Sequence, residues 1–187
     1  MYFLNSIPDV VHSIQKAFHK MSNTKRLVIG AIFASLSAIF SAAGGFLPGI
    51  GYLISPLATA PILFCSMLSA PIGFFSFLVT NLLLLILQPS ELMIFPFTTG
   101  LLGFGTGIAF HFFKKRLSII LSGGIVLTAG IFILLYLLKF PILGPAVSKT
   151  FSSTTAGLIL LFSFFYSWIW VEVGLVLVKR LKTIITS

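Results

Sequence analysis

Few residues in this chain could do chemistry. Among 187 residues there are three acids, Asp9, Glu91 and Glu172, three histidines and one cysteine. Nucleophilic or general acid–base catalysis needs a nucleophile, a base and an orienting group within hydrogen-bond reach. No Ser/His/Asp order here places three such groups at one depth. Gly103-Phe104-Gly105-Thr106-Gly107 lies inside an apolar run, not between a strand and a helix, so it is not a nucleotide fingerprint. Cys65 has no second cysteine to pair with and no CxxC or histidine neighbour, and it reads as a buried structural thiol. His12 and His19 have no third ligand nearby in sequence and read as solvated. The expectation is a protein that is not an enzyme and carries no cofactor or metal.

The candidate binding residues are polar groups embedded in apolar runs, because burying them in lipid is costly. Asn81, Thr98, Thr99, Thr128, Tyr166, Trp168 and Trp170 are of this kind. A threonine hydroxyl can instead bond the carbonyl one turn back, and Asn81 can equally bridge two helices. Trp168 and Trp170 are two residues apart, so at most one faces a cavity. Glu91, at the mouth of a connection, either attracts a cationic solute or is simply solvated. Glu172 must be neutral, paired or wet at its depth. It is expected to bond a neighbouring helix or a basic residue of a partner. The substrate-binding set expected from sequence is Asn81, Glu91, Thr98, Thr99 and Trp168.

The elements that position these residues are membrane spans. Hydrophobic residues make up 58% of the chain and charged residues 8%, against about 25% charged in soluble domains. So few charges cannot coat a soluble globule, and the lipid bilayer must be most of the solvent. A spanning helix needs about 20 apolar residues. Six candidates run over about 27–43, 53–69, 72–87, 92–113, 117–138 and 154–178. The 53–69 candidate contains Pro56 and Pro61 and is expected to be short, broken or tilted. A Gly/Pro-rich loop, Gly44 to Gly51, precedes it. Lys139 to Thr150 form another loop.

The net charge of +9 does not point to nucleic acid, because the basic residues cluster between apolar runs. With six spans, Lys16, Lys20, Lys25, Arg26, Lys114, Lys115, Arg116, Lys179, Arg180 and Lys182 share one side, and only Lys139 and Lys149 lie opposite. The positive-inside rule then puts both termini in the cytoplasm. Residues 1–24 stand apart from the 25–187 membrane domain. Phe3, Ile7, Val10, Val11, Ile14, Phe18 and Met21 recur at helical spacing, with Asn5, Asp9, His12, Lys16, His19 and Lys20 opposite. Asn5 or Ser6 caps such a helix, and Pro8 sits in its first turn. It reads as an amphipathic helix at the inner membrane surface or docked on a partner. The fold expected is an all-α integral membrane protein with six transmembrane helices and an N-terminal amphipathic interfacial helix.

Small residues at every fourth position let helices approach closely in lipid. Gly30, Ala34, Ala38 and Ala42 form one such row, with Ala31 and Ser35 beside it; Gly100, Gly103 and Gly107 form another. The first row is either an internal contact or a docking face for a separate membrane subunit.

Thr24-Lys25-Arg26-Leu27 leading into Ala34-Ser35-Leu36-Ser37-Ala38, with its Ala-x-x-x-Ala pattern, and the turn Ser69-Ala70-Pro71-Ile72-Gly73 resemble the substrate-binding S components of energy-coupling-factor (ECF) transporters. These are prokaryotic importers of vitamins and related micronutrients. The length, the six spans and the long first loop are similar too. The resemblance implies that Ala34 and Ala38 contact a membrane coupling subunit driven by two cytoplasmic ATPases. It also implies that a solute, such as a vitamin or flat heterocycle, binds near the outer face between the first loop and the last three helices. The chain departs from the family in having few polar residues in the outer halves of those helices. The competing expectations are a non-catalytic membrane scaffold of the cell-shape or division type and a small autonomous transporter. The expected location is the inner (plasma) membrane.

Overall fold

The computed structural model describes residues 10–47, 49–140 and 153–186. Among them every regular element is helical. The amphipathic helix α1 covers Val10–His19. Six helices long and apolar enough to cross a membrane follow: α2 Asn23–Phe46, α3 Gly51–Leu68, α4 Ala70–Leu87, α5 Pro89–Phe112, α6 Arg116–Leu137 and α7, whose spanning part is Ser153–Arg180. The chain is an all-α, multi-pass membrane protein.

Prolines punctuate these helices in the way their chemistry requires. Pro71 and Pro89 sit in the first turns of α4 and α5, where a missing N–H costs nothing. In α3, Pro56 tightens Ser55–Ala58 into a 3₁₀ turn before the helix resumes at Thr59. This is the interruption the sequence suggested. Near the end of α6 the backbone widens into a π turn over Ile133–Leu137, and Lys139 follows at φ 52°.

The bundle has two unlike ends. At the basic end, Arg26 donates to Ser69 Oγ at 3.2 Å, and His111 Nε2 lies 2.9 Å from the Ser66 carbonyl. The N-terminus of α2, the α3–α4 turn and the α5–α6 turn therefore meet there. At the opposite, far end Ser41 donates to Glu91 at 3.3 Å, tying α2 to α5. Helix α3 is the central element: 56% of it is buried within the protein, against 22% for peripheral α4. Its closest neighbour is α5, along the second small-residue row. A Cβ on Gly103 would fall 2.8 Å from the Thr59 carbonyl, and one on Gly107 would fall 2.8 Å from that of Leu63. Only glycine allows that approach.

Three expectations change in detail. The loop expected over Gly44 to Gly51 is much shorter, because α2 continues to Phe46 and α3 starts at Gly51. Gly44 is buried inside α2, close to Glu91 and Ser55. Gly49, at φ +88°, makes the turn.

The row Gly30, Ala34, Ala38 and Ala42 is filled by the chain itself. Ala34 and Ala38 are 0% exposed and Ala42 is 3% exposed. Ser76 donates to the Gly30 carbonyl at 2.9 Å, Thr80 to that of Ala34 at 3.2 Å, and Ser37 to that of Ala58 at 2.9 Å. These hydroxyls on and around the row stitch α2 to α4 and α3, so the row offers no surface to a second subunit in this arrangement. Ala31 and Ser35, beside it, are exposed.

The apolar stripe of α1 is also covered from within. Val11, Ile14 and Phe18 are buried in one cluster with Leu63, Met67, Phe110, Val171 and Leu175. Residues 1–9 and 141–152 lie outside the described residues, and with them the expected caps Asn5 and Ser6, Pro8 and most of the last loop.

Candidate functional site

Toward the far end, residues of helices α3, α5, α6 and α7 line a cavity of about 600 Å³. That is within the range of small-molecule sites, about 300–1,000 Å³. Pro56 of α3 contributes one wall, at the 3₁₀ turn. Thr98 and Thr99 come from α5, just where its first turns, which include a 3₁₀ segment at Phe95–Phe97, pass into the regular helix. Leu127 and Ile131 come from α6; Thr155, Leu158, Ile159, Phe162 and Tyr166 come from α7. Leu158 and Phe162 are exposed, so the cavity opens at the bundle surface.

No charged side chain is among the described lining residues. The walls are aliphatic and aromatic, with the Phe162 and Tyr166 rings stacked at 5.5 Å between centroids. The polar content is hydroxyl groups. Thr98 Oγ1 donates to the Ile94 carbonyl at 2.8 Å, which uses its proton and leaves its oxygen able to accept. Tyr166 donates to the Pro56 carbonyl across 3.4 Å, well beyond the usual O–H···O distance of about 2.7–2.8 Å. The Tyr166 hydroxyl also lies beside Thr59 and Trp170. Thr59 is 0% exposed and Trp170 5% exposed, and neither Thr59 Oγ1 nor Trp170 Nε1 makes a hydrogen bond of ordinary geometry.

Of the five residues expected to bind solute, the cavity gathers two, Thr98 and Thr99. Asn81 donates to the Phe77 carbonyl one turn back at 2.8 Å and stays on α4, remote from the cavity lining. Glu91 belongs to the α2–α5 contact through Ser41. Trp168 packs against the cluster that also covers α1, beside Phe165 at 5.7 Å. Of the three aromatic candidates on α7, Tyr166, Trp168 and Trp170, the one that lines the cavity is Tyr166. Thr128 bonds the Gly124 carbonyl at 2.8 Å, one turn back. Glu172 finds its partner within the chain: Arg116 Nη1 is 3.3 Å away, with both side chains partly buried.

A second polar cluster at the basic end engages all three histidines through Gln15. Gln15 is buried among the apolar residues of α1. Its Nε2 donates to the Met67 carbonyl at 2.9 Å and lies 3.3 Å from His111 Nδ1. His12 Nδ1 lies 3.2 Å from Gln15 Oε1, and His19 Nδ1 lies 2.8 Å from the Gln15 carbonyl. A carbonyl only accepts, so His111 donates through Nε2 to Ser66 and receives the Gln15 amide at Nδ1. This cluster fixes α1 to α3 and α5. Among the described residues no three of His, Cys, Asp and Glu are grouped as a metal ion would require.

Compared with protein-family models, curated proteins and solved structures, the chain matches none.

Proposed function

We propose that this chain is the solute-binding subunit of a prokaryotic importer for a vitamin-like micronutrient, similar in kind to the S components of ECF transporters. The observation that carries the reading is the cavity between α3, α5, α6 and α7. It is large enough for a small organic molecule and sits in the half of the bundle away from the basic clusters. By the positive-inside rule that half faces out of the cell and both termini face the cytoplasm. A pocket in that half, in a protein with no visible means of hydrolysing a nucleotide, suits a capture subunit of the plasma membrane. Energy would come from a membrane coupling subunit served by cytoplasmic ATPases. With Ala34, Ala38 and Ala42 covered, that subunit would meet the neighbouring exposed residues of α2, Ala31 and Ser35.

Native mass spectrometry of the protein released from lipid nanodiscs tests the cavity. The wild type should carry a bound small molecule that is lost from the variant Leu127→Phe/Ile131→Phe, whose added rings fill the space. A protein with no adduct, or with the same adduct in both forms, would overturn the reading.

A further inference from the structure

The cavity's chemistry narrows what it holds, and the narrowing rests on the solute-binding reading just given. With no charged side chain among the described lining residues, an ionised ligand would leave its charge unpaired in a low-dielectric setting, at a heavy cost. These described walls suit a ligand whose bulk is apolar and uncharged. One part of the wall is different. The Tyr166 hydroxyl reaches only a distant carbonyl, Pro56 at 3.4 Å. Beside it, Thr59 Oγ1 and Trp170 Nε1 are buried and make no hydrogen bond of ordinary geometry. Buried polar groups are normally satisfied. Of the three, Tyr166 alone lines the cavity; Thr59 and Trp170 lie against its oxygen, so its proton, held only by that distant carbonyl, is the donor left for a polar atom in the cavity.

We infer that the ligand is an uncharged, mainly apolar molecule carrying a hydrogen-bond-accepting oxygen, such as a carbonyl, which receives the Tyr166 hydroxyl. Tyr166 is suited to this role because its O–H can turn from the distant Pro56 carbonyl to a closer acceptor. The buried indole N–H of Trp170 lies beside the phenol oxygen and can then support it as a donor. The stacked Phe162 and Tyr166 rings give the ligand's apolar part a flat surface.

Three probes of one shape separate the possibilities: 2-acetylnaphthalene, 2-ethylnaphthalene and 2-naphthoate. They differ in carrying a carbonyl, no polar atom and a carboxylate. The reporter is Trp170, whose ring centroid lies 6.2 Å from that of Tyr166. In the full-length variant Trp168→Phe it is the only tryptophan. With that protein in nanodiscs, and empty nanodiscs as reference, the ketone should quench Trp170 saturably and bind about tenfold tighter than the hydrocarbon, the scale of one neutral hydrogen bond. The naphthoate should give no saturable quenching. Adding Tyr166→Phe should erase the preference for the ketone while leaving binding of the hydrocarbon unchanged. Equal affinities of ketone and hydrocarbon, or tight binding of the naphthoate, would overturn the inference while leaving the cavity a ligand site. Absence of saturable quenching by every probe, unchanged by Leu127→Phe/Ile131→Phe, would overturn the cavity reading with it.

Discussion

Gln15 and Tyr166 carry the polar organisation of the two ends, and they do so in opposite states of satisfaction. Gln15 is fully engaged: its side-chain amide meets Met67, His111 and His12, and its backbone carbonyl meets His19. Gln15→Leu keeps the volume but strips the Met67 carbonyl and His111 of their donor. A buried group left without its partner costs about 1–3 kcal/mol. The thermal midpoint of the nanodisc-embedded protein should therefore fall, and protease nicking ahead of residue 20 should rise. An unchanged midpoint and digestion pattern would mean that α1 is held by Val11, Ile14 and Phe18 alone. The role of Gln15 was not legible in advance, and Tyr166, though among the candidates, was passed over for Trp168. Gln15 stands within the apolar stripe of α1, where a pattern of polar and apolar residues passes over it. Tyr166 and Trp168 are two positions apart, about 200° around the helix, and only the placement of α3 and α6 decides which one meets the cavity. Thr98 and Thr99 could be found because hydroxyls inside an apolar run stand out. Asn81 stood out for the same reason, but its amide is used up on its own helix.

At the level of helices, the small-residue rows explain the packing. Helices in lipid gain little from the hydrophobic effect and rely on close van der Waals approach, which is what glycine and alanine permit. Gly107 faces the α3 backbone at Leu63 and Met67. Gly107→Leu should push the two central helices apart and destabilise the protein by at least about 1–3 kcal/mol, the scale of core overpacking. A loss of monodisperse protein in size-exclusion chromatography would register this, and normal recovery would contradict the α3–α5 contact. The two faces of α2 make a sharper pair. Ala38→Trp should damage the fold itself, because Ala38 is fully buried. Ser35→Trp should leave the fold intact and, on the proposed function, reduce co-purification of a coupling subunit. The reverse pattern would place the free surface on the Ala34/Ala38 row after all. Spacing revealed both rows in the sequence but not what lies against them: a row of small residues is the same whether its neighbour is the chain's own helix or another protein's. The first connection is shorter than its glycines suggest for a related reason. Glycine is permissive rather than obligatory for turns, and Gly44 and Gly45 extend α2 instead of ending it.

The molecule as a whole was the most legible, because its organisation follows from properties summed over many residues. Six apolar stretches of adequate length and the scarcity of charge define a multi-pass helical protein, and the observed spans begin and end within a few residues of those expected. Large apolar side chains cover its outside, among them Ile32, Ile39, Leu82, Ile86, Ile125 and Leu161, as a lipid-facing surface requires. Polarity is confined to helix contacts and the two ends. The few ionisable groups inside are tied down, as with Arg116 and Glu172 across α6 and α7. Glu172→Ala leaves the partly buried guanidinium without its carboxylate and should lower the thermal midpoint by several degrees. Glu172→Gln, which keeps an acceptor, should lower it less, and equal effects would show that the acceptor does not matter.

Capture of an external solute needs the cavity to face out of the cell. The native thiol, Cys65, is fully buried, so single added cysteines can be read against a quiet background with a membrane-impermeant maleimide. Thr155→Cys, at the cavity, should label in intact cells, and Lys115→Cys should label only after the membrane is permeabilised. Labelling of Lys115→Cys in intact cells, with Thr155→Cys reached only after permeabilisation, would contradict that orientation.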